Sequence, residues 1–358
     1  MQEKPNRVTI RDVAEAAGVS FQTVSLVLNH PEKVAQKTLQ HVRAVIKSLD
    51  FVPSMAARSL RRIPTRTLAC VFFGKRASYD NRTYQIQDTY WNNVVQTINR
   101  VADRAGYAVQ QRSQGADDET LYEEIRNLFL GGRIDGLIAV VERTAHPVLL
   151  RLQEQGFPLV IFGTRDAQFS FVAQDNAQAC AEVVDHLVAG GCHALAFISG
   201  ERDGHGNDDV DERYRGYRAG LERHGLAMQA GWNLAGDWSM ASGYRIAQQL
   251  WNAAQRPDGL IFASDRMALG ALKGLYDLGV RVPHDIAVVG FDNMQYDDFC
   301  VPPLTSVHSP VLEMADAAVR MLLARITGQP DPGDSQQVLA TRLVVRQSTR
   351  SANPGSRG

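Results

Sequence analysis

The stretch "VTIRDVAEAAGVSFQTVSLVLN", residues 8–29, contains two short helical patterns that meet at Gly18. Thr9 can cap the first helix, with Asp12 three residues on as the acid of a capping box. Val13, Ala16 and Ala17 supply its apolar side. Gly18 allows a sharp turn, and Ser20 is suited to cap a second helix that starts at Phe21. Val24, Val27 and Leu28 recur at helical spacing and face inward. A third amphipathic helix follows in "KTLQHVRAVIKSL", with Leu39, Val42, Val45, Ile46 and Leu49 on its apolar side. Two helices around a glycine turn, followed by a third, form a helix-turn-helix pattern.

In that pattern the second helix lies in the major groove and its N-terminal side chains face base edges. Ser20, Phe21, Gln22, Thr23 and Ser25 are the residues that can present themselves there. A glutamine can hold adenine through two hydrogen bonds, and an aromatic or methyl group can pack on the methyl of thymine. Charge agrees with this reading. The formal net charge is −1, yet residues 1–62 carry +5 and the remainder −6. A basic head on an acidic body is expected to meet a polyanion. The competing reading is a small helical bundle that docks on a protein partner. Small polar residues facing out, flanked by bases, weigh against it.

From about residue 67 the texture changes. Short apolar runs, "LACVFFG", "GLIAVV", "LVIFG", "ALAFISG", "GLIFAS" and "IAVVGFD", alternate with amphipathic stretches such as "WNNVVQTINRVADRAG", "LYEEIRNLFLGG" and "AEVVDHLVAGG". Strands buried on both faces read as continuous apolar runs, and the intervening helices supply the crossovers of a parallel sheet. The body is therefore predicted to be α/β with doubly wound sheets. At 358 residues the chain is expected to form two or three domains, and a body of roughly 280 residues is too large for one core, so it is expected to form two lobes. Ligands of such sheets gather at the carboxyl ends of the strands.

Several functions are disfavoured. No run approaches the roughly 18 apolar residues of a membrane span. The segment MQEKPNRVTI lacks the apolar core of a signal peptide, so the cytoplasm is the expected compartment. Cys70, Cys180, Cys192 and Cys300 have no CxxC spacing and read as buried thiols rather than as metal ligands or disulfides. No GxxxxGK[ST], GxSxG or HExxH motif occurs, and "GERDGHGND" lacks the lysine of a phosphate loop, so catalysis is not expected.

The opening stretch resembles the DNA-binding head of the lactose/galactose-repressor (LacI/GalR) family through its fixed pattern of D-V-A, A-G-V-S and T-V-S. "LDFVPSMAARSL" resembles the family's hinge. The likeness continues through "DGLI", "RYRGYRAGL", "SDRMALGAL", "VPHDIAVVGFDN" and "PPLTSV" to "LVVRQST". It implies an all-α helix-turn-helix head over residues 1–52 and a hinge helix and linker over 53–66. A two-lobed periplasmic-binding-protein-like body would follow over 67–346, with the chain crossing between lobes near 172, 308 and 336.

The resemblance also assigns residues. Phe21 and Gln22 become the main base readers, and Leu26 falls at a third reading position where the family often has arginine. Leu26 either reads a base there or packs inward. Thr9, Asn29 and Ser54 complete the expected DNA-contacting set with Ala57 and Leu60. Leu60 matches the leucine wedged into the minor groove at the operator centre, and Ala57 lets the hinge helix approach its twin. A hinge of two turns is marginal alone and is expected to order only on DNA. For the effector site the likeness points to Tyr90, Trp91, Arg213, Trp238, Ser264, Asp265 and Asp292. Core packing competes for Tyr90 and Trp91, and a plain surface role competes for Arg213. Asp175 in "AQDN" is a weaker candidate.

The resulting expectation is a sequence-specific transcription regulator, acting as a repressor and a homodimer on a near-palindromic DNA operator. A small molecule between the lobes, a sugar or a sugar derivative, would change its operator affinity. No cofactor, metal or membrane partner is expected. A purine or nucleoside effector is the alternative, followed by a transporter's solute-binding protein. The tail "RQSTRSANPGSRG" has no leucine heptads, so a tetramer zipper is not expected, and residues 347–358 read as a disordered tail.

Overall fold

Three helices built on Val13, Val24 and Val42, all fully buried, make the head of the chain. A computed structural model describes residues 9–29, 31–49, 64–73, 89–113, 117–141, 144, 146–200, 208–329 and 335–350. The expected hinge residues Ser54, Ala57 and Leu60 lie outside the described residues. By its internal contacts the chain divides into a small unit, residues 1–65 with 127–133, and a large one, residues 66–126 and 134–358.

In the small unit, α1 (Ile10–Ala16) begins at Thr9, whose hydroxyl and backbone form the capping box with Asp12. The Thr9 backbone donates to the Asp12 carboxylate at 2.6 Å, and these hydrogen bonds hold that carboxyl below its usual range. Gly18 takes the turn at φ +62°. Helix α2 (Phe21–Asn29) starts with the Ser20 hydroxyl accepting from the Thr23 backbone at 3.1 Å. On α3 (Gln36–Ser48), Leu39 and Val42 pack inward, and His41 Nε2 lies 3.2 Å from the Ala17 carbonyl oxygen at the end of α1. One expectation is corrected here. Ala14, not Ala16, is the buried alanine of α1, and Ala16 is exposed. Both positions flank the Val13 stripe, and only the angle at which α1 meets its neighbours selects between them.

The large unit contains two six-stranded sheets. In the first, β1 (Thr67–Phe73), β2 (Ala108–Ser113), β3 (Gly136–Val141), β4 (Leu159–Gly163), β5 (Phe171–Gln174) and β11 (Gln336–Leu339) run parallel in the order β11-β5-β4-β3-β1-β2. In the second, β6 (Leu195–Ser199), β7 (Asn233–Ala235), β8 (Gly259–Phe262), β9 (Ala287–Asp292), β10 (Thr305–His308) and β12 (Arg342–Val344) take the order β12-β10-β9-β8-β6-β7. Only β12 in this sheet is antiparallel to its neighbour. Every residue of β3, β6 and β8 is buried, as their unbroken apolar runs require.

Helices α4 (Thr89–Arg104), α5 (Asp118–Leu130) and α6 (Pro147–Glu154) belong to the first lobe. Helices α7 (Asn176–Ala189), α8 (Asp208–Arg223), α9 (Met240–Trp251) and α10 (Asp265–Asp277) belong to the second. The chain crosses after β5, returns after β10 into α11 (Val311–Thr327) and β11, and crosses again to β12. The third crossing falls at 340–341, just beyond the position expected near 336.

Residues 347–350 correct the expected tail. Ser348 is fully buried: its hydroxyl donates to the Val288 carbonyl at 2.6 Å and accepts from the Thr305 backbone at 2.8 Å. Thr349 meets His186 and Thr305, both at 2.8 Å. A short polar segment looks unstructured in isolation, but here the Ser348 hydroxyl satisfies backbone groups near the starts of β9 and β10, inside the second sheet. Cys70, Cys180 and Cys192 are buried free thiols, pushed up to about 12 by burial.

Helices α9 and α10 approach until backbone meets backbone, because a methyl group on Gly243 would run into the Met267 carbonyl. Gly243→Ala is therefore expected to lower stability by about 1–3 kcal/mol. The measurement is the urea midpoint of the full chain. An unchanged midpoint would show that the two helices have room to separate.

Candidate nucleic-acid interface and effector site

On α2, the residues that fill the core occupy one side and leave the other to solvent. Val24 and Val27 are buried, whereas Gln22 is exposed, Phe21 is 45% exposed and Leu26 38%. Gln22 and Leu26 stand one turn apart, so they share a face. Leu26 thus points outward, and the alternative that it packs into the head does not hold. Asn29 closes the helix. Ser25 is a correction: it is 4% exposed and cannot reach a base edge while the head is folded. Its small side chain lies at the flank of the apolar stripe, where neighbouring packing decides the outcome. Thr9 and Ser20 are at the surface, but their hydroxyls are committed to capping, and the Ser20 and Thr23 hydroxyls lie 2.9 Å apart. Arg11, Lys33, Lys37, Arg43 and Lys47 are exposed on the same small unit. The head therefore offers an uncharged reading helix with bases around it, a suitable arrangement for a polyanionic duplex.

In the body, the sequence-predicted effector residues converge at the carboxyl ends of the second sheet. Arg213 on α8 is buried beneath the ends of β8 and β9. Its Nε donates to the Asn176 side chain at 3.0 Å and its Nη1 to the Ala263 carbonyl at 2.6 Å. The guanidinium lies 3.7 Å from the centroid of the Phe291 ring. Arg213 is therefore not a plain surface residue. Its remaining Nη2 has no acceptor among the described residues. Ser264, next to Ala263, caps α10 by accepting from the Met267 backbone at 3.3 Å.

Asp292 follows Phe291 and adopts φ +116°, with Asn293 at +54°. Such backbone costs on the order of 1–3 kcal/mol per residue and persists only where the surroundings enforce it. Here the Asn293 backbone donates to the Ser306 hydroxyl at 3.0 Å, and Arg346 donates to the Asn293 side chain at 2.8 Å. This turn holds the half-buried Asp292 at the strand end. Trp238, itself at φ +63°, lays its indole against Gly200 at the end of β6, where any side chain would collide with the ring.

Other candidates part from this group. Tyr90 packs half-buried against the core of the first lobe, as the competing reading allowed, and the Trp91 side chain lies outside the described residues. Asp175 caps α7 through the Gln178 backbone and accepts from Arg165, at the end of β4, at 2.9 Å. Arg165 also approaches Glu212 of α8 at 3.3 Å, so this arginine ties the first lobe to the second.

Asp265 is corrected. It is fully buried, and its carboxylate accepts from the Ser306 hydroxyl at 2.6 Å and from the Met294 backbone at 3.0 Å. It works as an internal clamp between α10 and the turn after β9, not as an effector contact. Burial, with Asp292 and Asp297 nearby, raises it well above the usual carboxylate range. Sequence reasoning missed Asn176, Phe291, Arg165 and Glu212. Asn176 and Phe291 left a local trace, as the fourth residue of the quoted "AQDN" and within the quoted "VPHDIAVVGFDN". Among the described residues no group of three or more His, Cys, Asp or Glu side chains is placed to hold a metal ion. No described helix is long and apolar enough to cross a membrane.

Comparison with known proteins agrees with both parts. The family model "Bacterial regulatory proteins, lacI family" matches residues 9–54, and that of a "Periplasmic binding protein-like domain" matches residues 184–349. The ribose operon repressor of Escherichia coli (strain K12) is 30% identical over 345 residues, covering 95% of this chain and 99% of that protein. Among solved structures, the lac repressor dimer bound to operator and the anti-inducer ONPF is 27% identical. It has a TM-score of 0.81, covering 97% of this chain and all of that one. A transcriptional regulator CelR–cellobiose complex is 30% identical, with a TM-score of 0.68 over 96% of this chain and 100% of that one.

The buried Asp297 beside Asp265 gives a pH signature. Burial pushes its carboxyl up to about 6. Between about pH 4 and 6 the folded chain then holds a proton that the unfolded chain releases. This contribution to stability is full at low pH and is lost as pH rises through the folded value. Asn at this position cannot titrate. The melting temperature of Asp297→Asn, relative to the unaltered chain, should therefore rise by several degrees between about pH 4 and 7. A difference that stays constant with pH would show that Asp297 does not titrate in that window.

Proposed function

The chain belongs to the lacI family of bacterial regulatory proteins, and from that premise we propose that a small molecule, bound at the strand ends of its two-lobed body, sets its affinity for an operator. It is a DNA-binding transcription regulator of the repressor type and not an enzyme. The DNA role rests on one observation above all: Phe21, Gln22 and Leu26 stand exposed on α2 over a core that needs none of them. The partner is double-stranded DNA with a near-palindromic site, read by a homodimer in the cytoplasm. Phe299 and Val301, 78% and 85% exposed on the turn between β9 and β10, are apolar surface that a second copy would cover.

The effector is proposed to be a sugar. The Arg213 fork with its open Nη2, the acceptor Asp292 and the Trp238 ring supply a donor, an acceptor and a flat apolar face, the three contacts that a polyhydroxylated ring uses. The solved relative complexed with cellobiose supports this reading. The effector acts by binding one arrangement of the lobes better than the other, so operator affinity shifts by that difference and no more. The Arg165 bridge to Asp175 and Glu212 is a contact that such a movement would remake.

Binding of the full chain to its operator is expected to weaken steeply with salt, by about a thousandfold between 50 and 200 mM if six or more phosphates are contacted. A flat salt response in a fluorescence-anisotropy titration would reject the DNA role. A thermal-shift screen of the full chain against neutral sugars, sugar acids and nucleosides tests the effector class. A sugar should raise the melting temperature, and Asp292→Asn should abolish that shift. A response to nucleosides alone would reject the sugar.

A further inference from the structure

Helix α2 carries no charged side chain over Phe21–Asn29. Its exposed face therefore cannot fork onto guanine with an arginine or a lysine. The Ser20 and Thr23 hydroxyls are turned to each other and to the helix start, and Ser25 is buried. Over residues 21–28, what remains for the groove is one amide, Gln22, between two apolar groups, Phe21 and Leu26. Leu26 is 38% exposed on a helix whose core positions are already filled by Val24 and Val27. An exposed leucine here adds nothing to the packing of the head, and it can neither donate nor accept a hydrogen bond.

In the major groove the C5-methyl of thymine is the apolar feature of the base-pair edges, which otherwise display donors and acceptors. We infer that Leu26 is a specificity-determining residue that reads a thymine through its methyl group. This deepens the DNA-binding reading above and depends on it. Four residues of helix rise about 6 Å, and successive base pairs along a strand are separated by about 3.4 Å. The thymine is therefore one or two base pairs from the base that Gln22 holds. Each half-site carries a thymine at that position whose value to the protein lies in the methyl, not in its pairing edge.

The test separates the methyl from the rest of the base. A duplex is first selected by the full chain from a random-sequence pool. Each thymine of one half-site is then replaced in turn by deoxyuridine, which keeps every hydrogen-bonding group and removes only the methyl. One replacement should weaken binding by about three- to tenfold, the scale of losing a buried methyl contact. For Leu26→Ala the thymine-to-uracil ratio at that position should collapse to about one. At the same position, exchanging the T·A pair for C·G should cost the unaltered chain affinity that 5-methylcytosine partly restores.

If no thymine responds to loss of its methyl, or if Leu26→Ala keeps the same ratio, the inference falls while the DNA-binding reading stands. If the full chain enriches no duplex, both fall. Leu26→Met, which retains an apolar tip, should keep the ratio well above one. A ratio of one for that variant too would count against methyl reading and for a steric role.

Discussion

A parallel sheet has to be covered on both faces, and the first lobe cannot cover its own. Its sheet is completed only when the chain returns from the second lobe as α11 and β11. Met314, Ala318 and Leu322 of α11 are buried with Ile138, Val160 and Val172 of the sheet in one core. The close approach of α11 to β3 leaves Gly136 no space for a side chain, since Leu322 and Ile326 occupy it. Three crossings of the chain follow from this covering requirement. They leave each lobe a packed layer of sheet and helix joined to the other by three connecting segments.

The second lobe uses polar groups where the first uses apolar ones. The turn after β9 is held from below by Asp265 and Ser306 and from the side by Arg346, which also meets Asp298 at 2.6 Å. Residues 347–350 then fasten the starts of β9 and β10 through Ser348 and Thr349. Holding Asp292 and Asn293 in left-handed backbone requires such a frame. The groups proposed to touch a ligand are thus fixed by residues outside the proposed contact, Asp292 by this frame and Arg213 by Asn176 and the Ala263 carbonyl. This preorganisation spares a bound molecule the ordering cost of those side chains.

Much of the candidate site was legible because it depends on local spacing. The Thr9–Asp12 capping box, the Ser20 cap and the glycine turn each involve residues within three positions of one another. The outward place of Gln22 follows from the helical period. Arg213 and Asp292 were reached through resemblance to a known family, and their surroundings were not. Ser25 and Asp265 show where such reading stops. Both are polar, next to the right motif and on the right element, yet both are buried, Asp265 by partners distant in sequence. Strands such as β2, "AVQQRS", and β7, "NLA", gave no apolar run because they lie at sheet edges, where one side of the ladder meets solvent.

By itself the sequence determined the helix-turn-helix head, the α/β character of the body and the uncharged reading helix, because these rest on periodicity and on the identity of neighbouring residues. Only the tertiary structure decided that Leu26 is exposed while Ser25 is buried. It likewise decided that Asp265 is a clamp, that Arg213 is buried on Phe291 and that residues 347–350 are bonded to the starts of β9 and β10. Each of those outcomes depends on which side chains and backbone groups distant in sequence come together once the helices of the head and the sheets of the body have packed, and that information is stored in no single stretch of the chain.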